Sequence, residues 1–197
     1  MSNVLNQLWL VLVLAVALGS GLAAVDRSLQ PRIKKNAEAR LSEAVLEVVP
    51  GGTAFTQLKE KVAGHVVYRV TGEGSKLLGW AVPAETMGFG DKIQMIIGIS
   101  PDGQKLLGMV VLESRETPGL GDHITDARFR DQFNGKPTDA TIEVVKPGQT
   151  APVSIDAITG ATISSRAVTN GINRTMHEVR DALAAADASG AEGTSHE

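Results

Sequence analysis

At 197 residues the chain is long enough for one domain of roughly 150 residues plus appendages. With 19 Lys+Arg against 22 Asp+Glu it lacks the basic excess of a nucleic-acid binder, and at 4% aromatic residues it has too few rings for a base-stacking platform. The absence of cysteine rules out disulfides, cysteine-held iron–sulfur clusters and thioether haem. The four histidines (His65, His123, His177, His196) show no metal-ligand spacing, so no metal site is expected and redox chemistry must rest on an organic cofactor.

Between Ser2 and Val25 there is no charged side chain, and Leu8–Val25 is almost wholly apolar. Eighteen helical residues at ~1.5 Å each cover about 27 Å, enough for a bilayer core. Trp9 takes an interfacial position, and Asp26 and Arg27 end the segment. Residues 1–26 therefore read as a single transmembrane anchor. Leu22-Ala23-Ala24 resembles a signal-peptide cleavage region, but no basic stretch precedes the apolar run, which favours the anchor. Arg27, Arg32, Lys34, Lys35 and Arg40 all follow the span and no Lys or Arg precedes it, so the positive-inside rule alone places the main domain in the cytoplasm.

Residues 27–50 read as an amphipathic first helix, with Ile33, Ala37, Leu41, Val45 and Val48 on one stripe and Pro50-Gly51-Gly52 at its end. Residues 51–185 form the main domain. Strands are expected at Val66–Val70, Lys76–Val82, Ile93–Ser100, Lys105–Ser114, Ile142–Lys146 and Ser154–Ile158. A hairpin turn falls at Ser100-Pro101-Asp102-Gly103. The last helix is expected from about Ser165 to Ala185, burying Val168, Ile172, Met176, Val179 and Leu183, and 186–197 read as a disordered tail. Helix, strands, helix in that order predict an α+β fold with an antiparallel sheet flanked by helices.

Chemistry concentrates in Asp156-Ala157-Ile158-Thr159-Gly160-Ala161-Thr162-Ile163-Ser164-Ser165. This is a strand running into a helix through small and hydroxyl residues. A helix N-terminus offers unpaired N–H groups and a partial positive charge, which suit a phosphate. The competing reading is an ordinary helix cap by Ser164 or Ser165. A second segment, Glu116-Thr117-Pro118-Gly119-Leu120-Gly121, is a tight loop whose backbone could approach a flat ligand, or a plain turn.

The stretch Asp156–Thr162 (Asp-x-x-Thr-Gly-Ala-Thr) resembles the flavinylation sequence of the FMN-binding domain family, in which a flavin transferase of the ApbE type joins FMN to the final threonine as a phosphoester. Glu116–Gly121 resembles the loop bordering the isoalloxazine in that family, and Met87-Gly88-Phe89-Gly90 resembles its glycine-aromatic-glycine segment. The resemblance implies covalent FMN on Thr162, with Asp156, Thr159, Gly160, Ala161, Ser164 and Ser165 around it. From the second loop it adds Glu116, Thr117, Gly119, Leu120 and Gly121. No residue reads as a catalytic acid, base or nucleophile, and no dinucleotide fingerprint is present.

Over about residues 5–185 the chain is similar to the family of G subunits of Rnf complexes, ion-translocating ferredoxin:NAD oxidoreductases. That similarity implies an electron-relay component partnered by the other Rnf subunits and modified by the flavin transferase. It further implies a single-pass protein of the bacterial inner membrane with its main domain on the periplasmic side, against the charge bias. The alternatives are the C subunit of the sodium-translocating NADH:quinone reductase, which shares the domain, or a membrane-tethered scaffold without cofactor.

Overall fold

The computed structural model describes residues 2–191. The chain divides into two compact units, Met1–Leu41 and Ser42–Glu197. In chain order the elements are α1 (Ser2–Glu47), β1 (Ala54–Gln57), β2 (Tyr68–Thr71), β3 (Leu77–Met87), β4 (Lys92–Ile99), β5 (Leu106–Glu113), α2 (Ala127–Arg130), β6 (Glu143–Val145), β7 (Ser154–Asp156) and α3 (Thr162–Ala191).

The first unit consists of the greater part of α1. Its apolar run is exposed along its length, including Leu8, Leu12, Leu18 and Leu22, and the helix is long and apolar enough to cross a membrane. Asp26 and Arg27 end the apolar run but not the helix, which continues unbroken through Pro31. Proline removes one backbone donor at a cost of about 3 kcal/mol, and the bonded turns on either side carry the helix past it. Nearby, the Gln30 side chain donates to Asp26 Oδ1 at 3.1 Å, one turn back.

In the second unit β1 to β5 form an antiparallel meander in chain order. This is the expected α+β architecture. β1 was not foreseen, and β3 runs on through Pro83 to Met87. β6 and β7 make a separate two-stranded parallel pair, Val144 opposite Ile155.

Both faces of the meander are covered. On one face Ile93, Met95, Ile97 and Ile99 of β4 join Val168, Ile172, Met176, Val179 and Leu183 of α3 in the main core. Burying each such side chain contributes about 1.5–3 kcal/mol. On the other face lie Ala44, Val45, Val48 and Val49, all buried. The backbone after α1 sits directly on glycines there. A Cβ on Gly98 would collide with the Val48 carbonyl, and one on its β5 partner Gly108 would lie 3.5 Å from the same oxygen. The β4–β5 turn is built as its sequence suggests. Gly103 N donates to Ser100 O at 2.9 Å, and Asp102 Oδ1 accepts from Gln104 N at 3.1 Å and from the Ser100 hydroxyl.

Helix α3 starts at Thr162, one turn before the expected Ser165, and its backbone continues past Ala185 to Ala191. The remainder of the expected tail, 192–197, lies outside the described residues.

Candidate functional site

Three loops meet at one buried carboxylate. Glu116 follows β5, and its Oε1 accepts from Gly90 N at 3.1 Å, at the tip of the β3–β4 hairpin. Its Oε2 accepts from the Ser164 hydroxyl at 2.5 Å, in the first turn of α3. Both Glu116 and Ser164 are buried. A buried carboxylate is costly unless its oxygens are hydrogen-bonded, and here each oxygen has a donor.

The glycines of two sequence segments are there to make room for that carboxylate. A Cβ on Gly88 would collide with Glu116 Oε1, and one on Gly90 with the Arg115 carbonyl. A Cβ on Gly121 would stand 2.8 Å from both Glu116 Oε2 and Ser164 Oγ. Gly121 is thus needed for packing against Glu116. Gly119 instead has open space beside it and φ of +73°, the left-handed conformation that glycine adopts without strain. The loop closes on itself through Leu120 N to Thr117 O at 3.1 Å. Leu120 then reaches Gly160, where a Cβ would lie 3.1 Å from Leu120 Cδ2.

The start of α3 is open. Its first helical bond runs from Ser165 N to Ala161 O at 3.0 Å, which leaves the N–H groups of Thr162, Ile163 and Ser164 without intrahelical partners. Neither serine caps them. Ser164 gives its hydroxyl to Glu116, while Ser165 Oγ accepts from Ile158 N at 3.0 Å and donates to Ala161 O at 3.0 Å. The cap reading is therefore corrected: both hydroxyls tie the turn to the domain. Thr162 and Ile163 point outward, exposed.

Among the described residues of the second unit, the large apolar side chains left exposed are Met87 (65%), Phe89 (66%), Leu120 (44%) and Ile163 (59%). All four sit on the segments that Glu116 gathers. Open N–H groups, an exposed hydroxyl and exposed apolar side chains together suit a ligand with a phosphate and a flat apolar ring, and FMN has both.

Beside this lies a cavity of about 580 Å³ lined by Asp156, Thr159, His123, Arg128 and Phe129 among others. Asp156 is anchored through its backbone, its N donating to Gln132 Oε1 at 2.6 Å. His123 Nδ1 and Asp126 Oδ2 are 2.8 Å apart, and that hydrogen bond holds the imidazole pKa above its ordinary value.

The structure therefore brings Glu116, Leu120, Gly121, Gly160 and Ser164 into one contact set. It leaves Thr117, Gly119 and Thr162 on its exposed surface, and places Asp156 and Thr159 at the neighbouring cavity. Ala161 and Ser165 are buried in the turn. Sequence reasoning left Gly88 and Gly90 out of the site residues, although the glycine-aromatic-glycine spacing at a hairpin tip was the available signal. It had no signal for His123 or Arg128.

Residues 88–177 match the FMN-binding domain family. The G subunit of the ion-translocating oxidoreductase complex of Vibrio atlanticus is 30% identical over 91% of this chain and 92% of its own. The G subunit of the proton-translocating ferredoxin:NAD(+) oxidoreductase complex of Clostridium ljungdahlii is 37% identical over 60% of this chain, a match spanning 63% of that protein. Among solved structures, the C subunit of the Na(+)-translocating NADH-quinone reductase from Parabacteroides distasonis superposes with a TM-score of 0.62. That superposition is at 19% identity and covers 77% of this chain and 94% of that one, a likeness of fold.

Proposed function

This chain belongs to the family of G subunits of ion-translocating oxidoreductase complexes, and we propose that it serves as a membrane-anchored electron relay with FMN held covalently on Thr162. The observation that supports this most is the exposed Thr162 hydroxyl at an uncapped helix N-terminus, ringed by exposed apolar side chains.

Attachment is a phosphoryl transfer for which FAD is a sufficient donor. Thr162 Oγ attacks the flavin-side phosphorus, the Oγ–P bond forms and the P–O–P link breaks. AMP leaves with the bridging oxygen, and the hydroxyl proton passes to solvent. A flavin transferase of the ApbE type catalyses it. The Thr162, Ile163 and Ser164 N–H groups and the helix dipole at the start of α3 would hold the FMN phosphate, since they favour an anion. Leu120, Ile163, Phe89 and Met87 offer apolar surface to the ring system. Bound FMN supplies one- and two-electron redox chemistry. The chain's own part is to hold and orient the ring while leaving it open to the neighbouring proteins of the complex, and pyridine-nucleotide chemistry belongs to one of those.

Helix α1 anchors the chain in the inner membrane, and the domain faces the periplasm, where the flavin transferase of this family works. The test is in-gel fluorescence of the full chain after denaturing electrophoresis. A fluorescent band at the chain's mass is expected, and a dark band would leave only a scaffold without covalent cofactor.

A further inference from the structure

We propose that Glu116 is the positioning residue for flavin attachment: by holding Gly90 N and the Ser164 hydroxyl, it sets the first turn of α3 so that Thr162, rather than Ser164 or Ser165, presents its hydroxyl at the open helix end. This rests on the reading of Thr162 as acceptor and adds the device that prepares it.

Several independent features fit this arrangement. Glu116 is buried, and of its two oxygens one binds a hairpin 26 residues upstream and the other a helix 48 residues downstream. Gly88 and Gly121 both lack the side chain that would collide with it. The geometry also assigns the fates of the neighbouring hydroxyls. Ser164 spends its proton on Glu116 and Ser165 spends its own on Ala161 O, so neither competes with Thr162 as acceptor or shields the free N–H groups. Without the carboxylate, Ser164 at the third helical position would be free to turn toward solvent. The helix start would also lose its tie to the loop that carries Leu120. Acceptor geometry matters steeply in such transfers, since a displacement of about 1 Å can cost two orders of magnitude in rate.

The experiment uses the full chain in membranes, with FAD and a flavin transferase of the ApbE type, and follows the mass gain of one FMN over time. Wild type must first acquire FMN, and its failure to do so would sink the Thr162 reading itself rather than this one. Glu116→Ala should then slow the mass gain by roughly tenfold or more. Glu116→Gln should restore most of it, because the amide oxygen still accepts from Gly90 N and the amide N–H₂ can donate to Ser164 Oγ. Ser164→Ala should slow it by an intermediate factor while the chain stays folded, with a lowered melting temperature because Glu116 Oε2 loses its buried donor. A folded Glu116→Ala chain labelled at the wild-type rate would overturn the proposal, as would a glutamine variant no better than alanine. Should Glu116→Ala not fold, Ser164→Ala decides alone, and a normal rate there overturns it.

Discussion

At the scale of single residues, Glu116 explains more of the site than any member of the threonine motif. Gly121 shows this most sharply. Its place in a loop of glycines suggested backbone room for a ligand, but the space beside it is taken by Glu116 and Ser164. Gly121→Ala must therefore push two buried polar groups apart, a cost of about 1–3 kcal/mol. Urea unfolding should show that loss, accompanied by less covalent flavin. A variant as stable as wild type would contradict the packing. His123 offers a different test. Its hydrogen bond to Asp126 raises its folded pKa above the ordinary 6.5. The stabilisation is therefore fully present below the unfolded value and is lost as pH rises through the folded one. The melting temperature of wild type relative to His123→Ala should decline as pH rises from below the ordinary imidazole value through the raised folded one, and a flat difference would show the bond to be inert. The local pattern of Asp156–Thr162 was readable because its residues are adjacent. The partners of Glu116 were not, because the carboxylate works only when distant segments meet.

At the scale of elements, the main helices and the hairpin were legible from periodicity and turn chemistry. Val168, Ile172, Met176, Val179 and Leu183 repeat at helical spacing and are all buried in α3. β1 escaped notice because Ala54–Gln57 is short, mixed in polarity and mostly exposed, so no alternation marks it. The extension of β3 was hidden by Pro83, which normally argues against a paired strand interior. Glycines 98 and 108 lie inside strands, where glycine ordinarily weakens pairing. They are instead a track on which the backbone at Val48 lies. Gly98→Ala should be destabilising by about 1–3 kcal/mol or more, since the obstructing atom is a backbone carbonyl that cannot rotate away. Chemical denaturation of the variant checks this, and a change below about 0.5 kcal/mol would contradict the close approach.

At the scale of the whole molecule, the N-terminal helix and the α+β domain follow from composition and pattern, whereas sidedness does not. Five cationic residues from Arg27 to Arg40 follow the apolar run, and such a bias ordinarily keeps a domain in the cytoplasm. The proposed attachment by an exported flavin transferase would require the opposite, and the topology we propose gives that chemistry precedence. Protease added to intact spheroplasts should remove the domain while sparing a cytoplasmic control, and protection until the membrane is opened would reverse it. The expectations about covalent flavin depend on Thr162 as the acceptor. The most direct measurement is the intact mass of the full chain purified from cells that contain the flavin transferase, wild type beside Thr162→Ala. The account predicts one covalent FMN on the wild type and none on a folded Thr162→Ala chain. An FMN retained by that variant, or missing from the wild type, would contradict it.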